Sequence, residues 1–158
     1  MPDTGGKAPV FKLPRDGGGE ISLTDYAGRS VVLYFYPRDD TPGCTTEGKD
    51  FTCAADDFAA AGAVVMGVSK DSVESHDKFR DKHDLSVILL SDKTGSTCED
   101  YGVWGEKNMY GKTFMGITRA TFLIGPDGTI AQAWKNVKVP GHVDEVLAAV
   151  QALEVTAS

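Results

Sequence analysis

Two short runs of strand-forming residues constrain the fold of this chain more than any other feature. They are Val31–Tyr36 and Val64–Ser69, and a stretch of helical composition, about Thr45–Ala61, lies between them. Val31–Tyr36 is apolar throughout, as expected of a strand that is covered on both faces of its sheet. Buried strands that alternate with helices are typical of layered α/β proteins. We therefore expect the α/β fold class.

The remaining elements complete this pattern. Glycines 17–19 lie between two short apolar stretches and predict an N-terminal β-hairpin, and Gly125–Gly128 predicts a closing hairpin. The order of elements indicates a mixed central sheet flanked by helices, parallel where helices cross over, and a thioredoxin-like arrangement fits it. The length predicts one domain, residues 1–158. The further elements are expected as helices at residues 73–83, 97–101 and 143–153 and a strand at 87–90.

Composition argues against several functional classes. The net charge of −7 disfavours nucleic-acid binding, and the longest apolar run, six residues, is too short to cross a membrane. The N-terminus has no secretory pattern, and three cysteines form no even-numbered disulfide framework, so we expect a cytoplasmic protein. No cysteine or histidine pair has zinc-ligand spacing and no glycine-rich phosphate motif follows a strand, so we expect neither a metal nor a cofactor.

One segment carries the chemistry. Residues 36–47 leave the end of the first buried strand, turn through Pro42 and Gly43, and start a helix at Cys44. Active sites of open α/β sheets lie at such strand ends. A cysteine in the first turn of a helix faces unpaired N–H groups and the positive end of the helix dipole, which lower the pKa of a thiol. This placement predicts that Cys44 is a nucleophile rather than a buried core residue.

These residues also carry a family resemblance. The pattern Pro37-x-x-x-Thr41-x-x-Cys44 resembles the active-site motif of peroxiredoxins. The longer run Phe35–Glu47 resembles the Q-type subgroup, also called bacterioferritin co-migratory proteins. The resemblance covers nearly the whole chain. It extends to residues 69–72, 102–107, 108–111 and 117–124.

The resemblance implies a thiol peroxidase and assigns roles to five residues. Cys44 would attack one peroxide oxygen and become a sulfenic acid. Arg119 would stabilise the thiolate and the charge that develops on the peroxide. Thr41 would hold the reacting oxygen through its hydroxyl, and Pro37 would shield the thiolate from water. Glu47 would serve the helix or orient Arg119.

The chain departs from the subgroup where the sulfenic acid must be resolved. Lys49 and Arg80 occupy the two positions where Q-type members place a resolving cysteine. Cys53 lies nine residues after Cys44, about 13 Å along the helix axis, too far for a disulfide, and we expect it in the core. The position of Cys98 relative to Cys44 cannot be derived from sequence. We therefore favour a one-cysteine mechanism, with an atypical two-cysteine peroxidase using Cys98 or Cys53 as the alternative.

In the one-cysteine mechanism an external thiol such as glutathione, thioredoxin or a glutaredoxin-like partner reduces the sulfenic acid. Two further readings are a thiol–disulfide oxidoreductase and a non-catalytic, chaperone-like module. Oxidoreductases of this fold carry Cys-x-x-Cys, whereas Glu47 stands three residues after Cys44. The subgroup resemblance also implies a monomer.

Overall fold

The structure, a computed structural model, describes residues 1–157, with side chains through residue 153. Within this range the chain forms nine strands, five α-helices and one short 3₁₀ helix. In chain order these are β1 (Lys12–Pro14), β2 (Glu20–Ser22), the 3₁₀ helix (Leu23–Tyr26), β3 (Ser30–Phe35), α1 (Pro42–Cys53), α2 (Ala55–Ala60), β4 (Ala63–Ser69), α3 (Val73–His83), β5 (Ile88–Ser91), α4 (Thr97–Asp100), β6 (Trp104–Met109), β7 (Lys112–Ile117), β8 (Ala120–Ile124), β9 (Ile130–Trp134) and α5 (His142–Ala157).

Five of these strands form the central sheet, in the order β5-β4-β3-β8-β9. β4 pairs in parallel with both β3 and β5, whereas β8 runs antiparallel to β3 and β9. The parallel pairs are those joined by helices, and the antiparallel pair β8–β9 is joined by the predicted turn, so the expected mixed α/β sheet is confirmed. None of the helices in the described part of the chain is long and apolar enough to cross a bilayer.

The two faces of the sheet bury separate cores. Along β3, Val31, Leu33 and Phe35 pack with Leu13 of the N-terminal hairpin and with Tyr101, and we call this side the hairpin face. The alternate residues of β3 pack on the other side, which we call the helix face. Its core joins Val32 and Tyr34 to Phe51, Phe58, Phe79 and Val146, which come from α1, α2, α3 and α5. Every residue of β3 is buried, as its apolar sequence predicts.

The stretch after Cys44 forms two helices instead of the one that we predicted. α1 ends at Cys53, and Ala54, with φ −96° and ψ 4°, separates it from α2. Neither glycine nor proline marks this break in the sequence. Gly62 then ends the segment with φ +76°, a left-handed conformation that glycine adopts without strain, as expected.

The sequence did not predict the hairpin β6–β7. Residues 112–115 of β7 are all exposed, so the strand shows no alternation of buried and exposed positions. Its two-residue turn places Tyr110 and Gly111 at φ +55° and +75°. A tyrosine is an unusual residue in a left-handed turn position, where asparagine or glycine is the common signal. The hairpin therefore lacks both of the patterns from which such an element is recognised.

Helix α3 is capped by a side chain, and this contact can be tested. The backbone N–H of Ser75 donates to the Ser72 hydroxyl at 3.1 Å. We expect Ser72→Ala to lower the free energy of unfolding by about 1 kcal/mol, measured by urea denaturation. Ser96 is the N-cap residue of α4 and makes no capping bond, so Ser96→Ala is the matched control. Equal losses in the two variants would contradict the assignment.

Candidate active site

Cys44 lies in the first turn of α1, which begins two residues earlier than we predicted. Thr41 is the N-cap residue, and its carbonyl accepts the N–H of Thr45 at 2.8 Å. Pro42 occupies the first helical position, where its fixed φ favours the helix and its missing N–H costs nothing. The amides of Gly43 and Cys44 are among those that an α-helix leaves without an intrahelical carbonyl. The thiol therefore lies at the positive end of the helix dipole.

Arg119 reaches Cys44 because of the way the strands pair. Phe35, the last residue of β3, pairs with Ala120, the first residue of β8. Arg119 directly precedes β8, so it lies beside the loop that leads into α1. Its Nη2 donates to Cys44 Sγ at 3.3 Å, and its Nη1 donates to Glu47 Oε1 at 2.6 Å. The sheet thus brings together three of the side chains that the sequence singled out.

Glu47 is fully buried one helical turn after Cys44. Its Oε1 accepts the hydrogen bond from Arg119, but Oε2 is the buried side-chain atom for which the described residues supply no partner. Burial raises the pKa of Glu47 to about 7, although the charge of Arg119 and its hydrogen bond act to lower it. The carboxyl group therefore changes its charge near neutral pH, next to the thiol.

The hydrogen bond of Thr41 and the exposure of Pro37 differ from what their expected roles require. The Thr41 hydroxyl donates to the carbonyl of Arg38 at 2.8 Å, so it would have to rotate to donate to a peroxide. Pro37 lies two residues after the end of β3 and is exposed to solvent. The roles of these two residues remain predictions.

The structure places the other two cysteines away from Cys44. Cys98 is fully buried on the hairpin face, whereas Cys44 belongs to the core of the helix face, so the central sheet lies between them. Burial, followed by the charge of Asp92, raises the pKa of the Cys98 thiol. The expectation that Cys53 lies in the core is wrong, because Cys53 is exposed. Nine residues at 100° each place Cys53 opposite Cys44 on the helix, and Cys44 faces the core.

The two positions at which Q-type members have resolving cysteines hold charged side chains. Lys49 is exposed on α1. Arg80, on α3, donates from Nη1 to Asp16 Oδ2 at 3.0 Å and from Nε to Asp81 Oδ1 at 3.1 Å. Both positions therefore hold charged side chains, of α1 and α3, and neither supplies a thiol.

Two residues of the site were missed by the sequence reasoning. Gly43 lies under the guanidinium, because a Cβ placed on it would be 3.1 Å from Arg119 Nη2. Lys107, on β6, interacts electrostatically with both Arg119 and Cys44. Burial and the charge of Arg119 lower the pKa of Lys107, and Cys44 raises it. Lys107 belongs to the unpredicted hairpin, whereas the position of Gly43 beside Cys44 was a signal that could have been used.

The assembled groups are suited to nucleophilic chemistry. A thiol attacks as the thiolate, and here the guanidinium of Arg119 and the start of α1 place positive charge beside the Cys44 sulfur. The same guanidinium and the free amides can stabilise negative charge on an oxygen atom beside the sulfur. Within the side chains that the structure describes, no group of three or more His, Cys, Asp or Glu residues is arranged to hold a metal ion.

Comparison with known proteins agrees with this geometry. A sequence model of the AhpC/TSA family matches residues 4–133. The chain belongs to the AhpC/TSA family. A putative peroxiredoxin bcp of Coxiella burnetii is 51% identical to it over 145 residues, which cover 92% of this chain and 96% of the relative.

Solved structures of other AhpC/TSA-related proteins support the same assignment. The bacterioferritin comigratory protein of Xanthomonas campestris superposes with a TM-score of 0.86 at 49% identity, covering 91% of this chain and 92% of that one. A cysteine-to-serine mutant of PrxQ from Xylella fastidiosa gives a TM-score of 0.90 at 41% identity, covering 100% and 99%. The resemblance to Q-type peroxiredoxins and the thioredoxin-like fold are therefore confirmed.

The contact between Gly43 and Arg119 yields a prediction. In Gly43→Ala the new methyl group displaces Nη2 from Cys44 Sγ. Loss of one hydrogen bond to a charged group, about 1.5 kcal/mol, corresponds to about a tenfold lower rate constant for oxidation of Cys44 by hydrogen peroxide. The rate is measured by rapid quenching and mass spectrometry. Gly48→Ala, on the same helix but against Leu85, is the control and should keep the native rate. A native rate in Gly43→Ala would contradict the prediction.

The raised pKa of Glu47 yields a second prediction. Because the pKa in the folded state, about 7, exceeds the ordinary value of 4.5, folding favours the protonated carboxyl group. This contribution is present below about pH 4.5 and is lost as the pH rises through 7. The native protein should lose about 3 kcal/mol of unfolding free energy between pH 4.5 and pH 8 relative to Glu47→Gln.

Urea denaturation of both proteins at several pH values measures this difference. Glu47→Gln keeps an oxygen atom that can accept from Arg119, and all other titrating groups are shared, so the difference between the two curves isolates Glu47. Parallel curves for the two proteins would show that Glu47 is already ionised in the folded state at low pH.

Proposed function

We propose that this chain reduces hydrogen peroxide and organic hydroperoxides with Cys44 as the nucleophile, in a one-cysteine cycle. The contact of Arg119 Nη2 with Cys44 Sγ, at a helix start, is the observation that carries the proposal. The thiolate attacks the nearer oxygen of the peroxide, the O–O bond breaks, and the product is a sulfenic acid and an alkoxide or hydroxide ion. A proton from the surroundings converts the leaving group to an alcohol or water.

Arg119 supports this step in two ways. Its positive charge lies beside the sulfur that attacks, and the same guanidinium can stabilise the negative charge that moves onto the peroxide oxygens during attack. The first-turn amides of α1 add unpaired donors on the same side. Stabilisation that increases as charge develops on the oxygens lowers the barrier, which simple binding of the substrate does not.

The positions of Cys53 and Cys98 support resolution by an external thiol. Cys98 is separated from Cys44 by the central sheet, and its raised pKa keeps it a thiol rather than a nucleophilic thiolate. Cys53 lies at the far end of α1 and faces solvent. A disulfide between either cysteine and Cys44 would require the sheet or α1 to come apart.

In the proposed cycle the sulfenic acid condenses with a thiol of the reductant and releases water. A second thiol then breaks the resulting mixed disulfide, which restores Cys44 and oxidises the reductant to a disulfide. Glutathione, thioredoxin and a glutaredoxin-like protein can each supply these thiols. The proposal includes a monomer of one domain in the cytoplasm, where such thiols are kept reduced.

Organic hydroperoxides are included among the proposed substrates because a relative is associated with alkyl peroxide reduction. The solved structures of the bacterioferritin comigratory protein of Xanthomonas campestris are described in connection with alkyl peroxide reduction activity. That protein is 49% identical to this chain over nine tenths of its length. We extend the substrate class to this chain on that basis.

Substitution of Cys44 tests the proposal. Cys44→Ser removes the thiol that attacks the peroxide and should abolish thiol-dependent consumption of hydrogen peroxide and cumene hydroperoxide. Cys53→Ser is the matched control on the same helix, and it should retain the native rate because its side chain faces solvent. Full activity in Cys44→Ser would refute the assignment of the nucleophile.

The product of the first turnover tests the one-cysteine cycle. After one equivalent of peroxide, mass spectrometry should find a sulfenic acid at Cys44 or, with glutathione present, a mixed disulfide there. An intramolecular disulfide between Cys44 and either Cys53 or Cys98 would replace the one-cysteine cycle by a two-cysteine cycle.

A further inference from the structure

A buried polar cluster lies beneath the loop that leads into the active site. This loop, residues 36–41, joins β3 to α1. Asp39 is the buried acid of the loop, and its carboxylate accepts three hydrogen bonds. Tyr36 donates its hydroxyl to Oδ1 at 2.6 Å, Ser75 donates its hydroxyl to Oδ2 at 2.8 Å, and His76 Nδ1 lies 2.7 Å from Oδ2. Ser75 and His76 both belong to α3, so the cluster joins the loop to that helix.

The contacts of His76 define its charge. Its side chain is fully buried, and Nε2 lies 2.8 Å from the carbonyl oxygen of Leu90, which can only accept, so Nε2 carries a hydrogen. Nδ1 faces the Asp39 carboxylate, which also accepts. With a hydrogen on each ring nitrogen both contacts are satisfied, and the imidazole is then a cation that forms a buried ion pair with the Asp39 carboxylate.

The groups around His76 agree with this state. Burial acts to lower the pKa of His76, but the hydrogen bond and charge of Asp39, the Leu90 carbonyl and the charge of Asp71 act against it, and the net effect is a raised pKa. The Tyr36 hydroxyl also faces the ring, 3.4 Å from Nδ1. Burial of Tyr36 and the charge of Asp39 raise the pKa of that hydroxyl, so it stays neutral.

The loop is fixed at the residues that determine where α1 begins. The Asp39 amide donates to Asp71 Oδ2 at 2.8 Å, so both the backbone and the side chain of Asp39 are held. The next residue, Asp40, adopts φ +59°, a left-handed conformation that is uncommon for residues other than glycine, although aspartate and asparagine adopt it more often than most. Thr41 follows as the N-cap residue of α1. Arg119 approaches Cys44 from β8, so the position of the loop sets the distance between thiol and guanidinium.

We propose that the buried His76–Asp39 ion pair is a positioning device for the peroxidatic reaction. His76 does not touch the reacting atoms. It holds Asp39, and through Asp39 the loop and the first turn of α1, so that Cys44 Sγ stays in contact with Arg119 while the peroxide is attacked. This inference rests on the proposed function of Cys44, and it assigns His76 and Asp39 a role in the rate of that reaction.

A second histidine of α3 provides a matched control. His83 Nε2 lies 2.7 Å from Asp40 Oδ1, so it also joins α3 to an aspartate of the same loop. Unlike the buried pair, this contact is at the surface, where solvent weakens the attraction. His76→Gln should lower the rate constant for oxidation of Cys44 by at least about tenfold, because small displacements of reacting groups have effects of this size. His83→Gln should keep the native rate.

Two further measurements separate positioning from a loss of stability. Rates are compared at a temperature at which circular dichroism shows each variant folded. If His76→Gln does not fold, Ser75→Ala, which removes one hydrogen bond to Asp39 and no charge, takes its place and should lower the rate about threefold, the effect of one weak hydrogen bond. In addition, ¹⁵N–¹H spectra of the native protein should show both ring nitrogens of His76 protonated at pH 7.

The pH dependence of the Cys44 oxidation rate separates positioning from a purely structural role of His76, because a purely structural role would leave that dependence unchanged. Because the pKa of His76 is raised, its charge persists to higher pH than that of an ordinary histidine and is lost as the pH rises through the pKa in the folded state. The native oxidation rate should therefore fall on the alkaline side, and His76→Gln should lack that fall.

A folded His76→Gln variant with the native rate and profile would overturn the inference, and so would equal losses in His76→Gln and His83→Gln. Failure of the proposed function would look different, because the native protein itself would then consume no peroxide or Cys44→Ser would remain active.

Discussion

The active site depends on one guanidinium that is shared between two acidic groups. Arg119 bonds Cys44 with one nitrogen and Glu47 with another. The two acidic side chains are one helical turn apart, and Arg119 contacts both of them. Glu47 is buried, one of its oxygens has no partner among the described residues, and burial raises its pKa to about 7, so the charge beside Arg119 changes near neutral pH. Near neutral pH the site thus has two charge states rather than one.

This arrangement is possible because the sheet is mixed. In a purely parallel sheet the strand next to β3 would present its carboxyl end to the site, followed by a long crossover. Here β8 runs antiparallel to β3, and Phe35 pairs with Ala120. The start of β8 therefore lies beside the end of β3, and Arg119 enters the site directly from the backbone of the sheet. The register of this one strand pair brings together two residues that are 75 positions apart in the chain.

The outcome for individual residues shows which features the sequence encodes locally. Cys44 was predicted because its placement, after a buried strand and a proline–glycine turn, depends only on neighbours in the chain. Arg119 followed from the family resemblance alone, since its contact depends on a strand register that periodicity does not reveal. Cys53 was predicted wrongly although the information was present: a residue 180° from Cys44 on one helix must face solvent if Cys44 faces the core. The hairpin β6–β7 was missed because its exposed strand has no buried face to mark it.

Burial of Cys44 places two opposing requirements on the loop in front of it. Cys44 is only 2% exposed, which suits the proposed attack on a small peroxide in a site that excludes water. Reduction of the sulfenic acid by an external thiol needs the sulfur to be reached, and for a protein thiol this requires the first turn of α1 to move. The contacts of Asp39 and Asp40 with α3 oppose that movement. Position 80 on α3 holds an arginine paired with Asp16 rather than a cysteine, so in the proposed one-cysteine cycle α3 need not unfold to deliver a thiol. Because α3 stays folded in this cycle, it can hold the loop that leads into α1. The free energy needed to expose the Cys44 sulfur must then come from binding of the reductant.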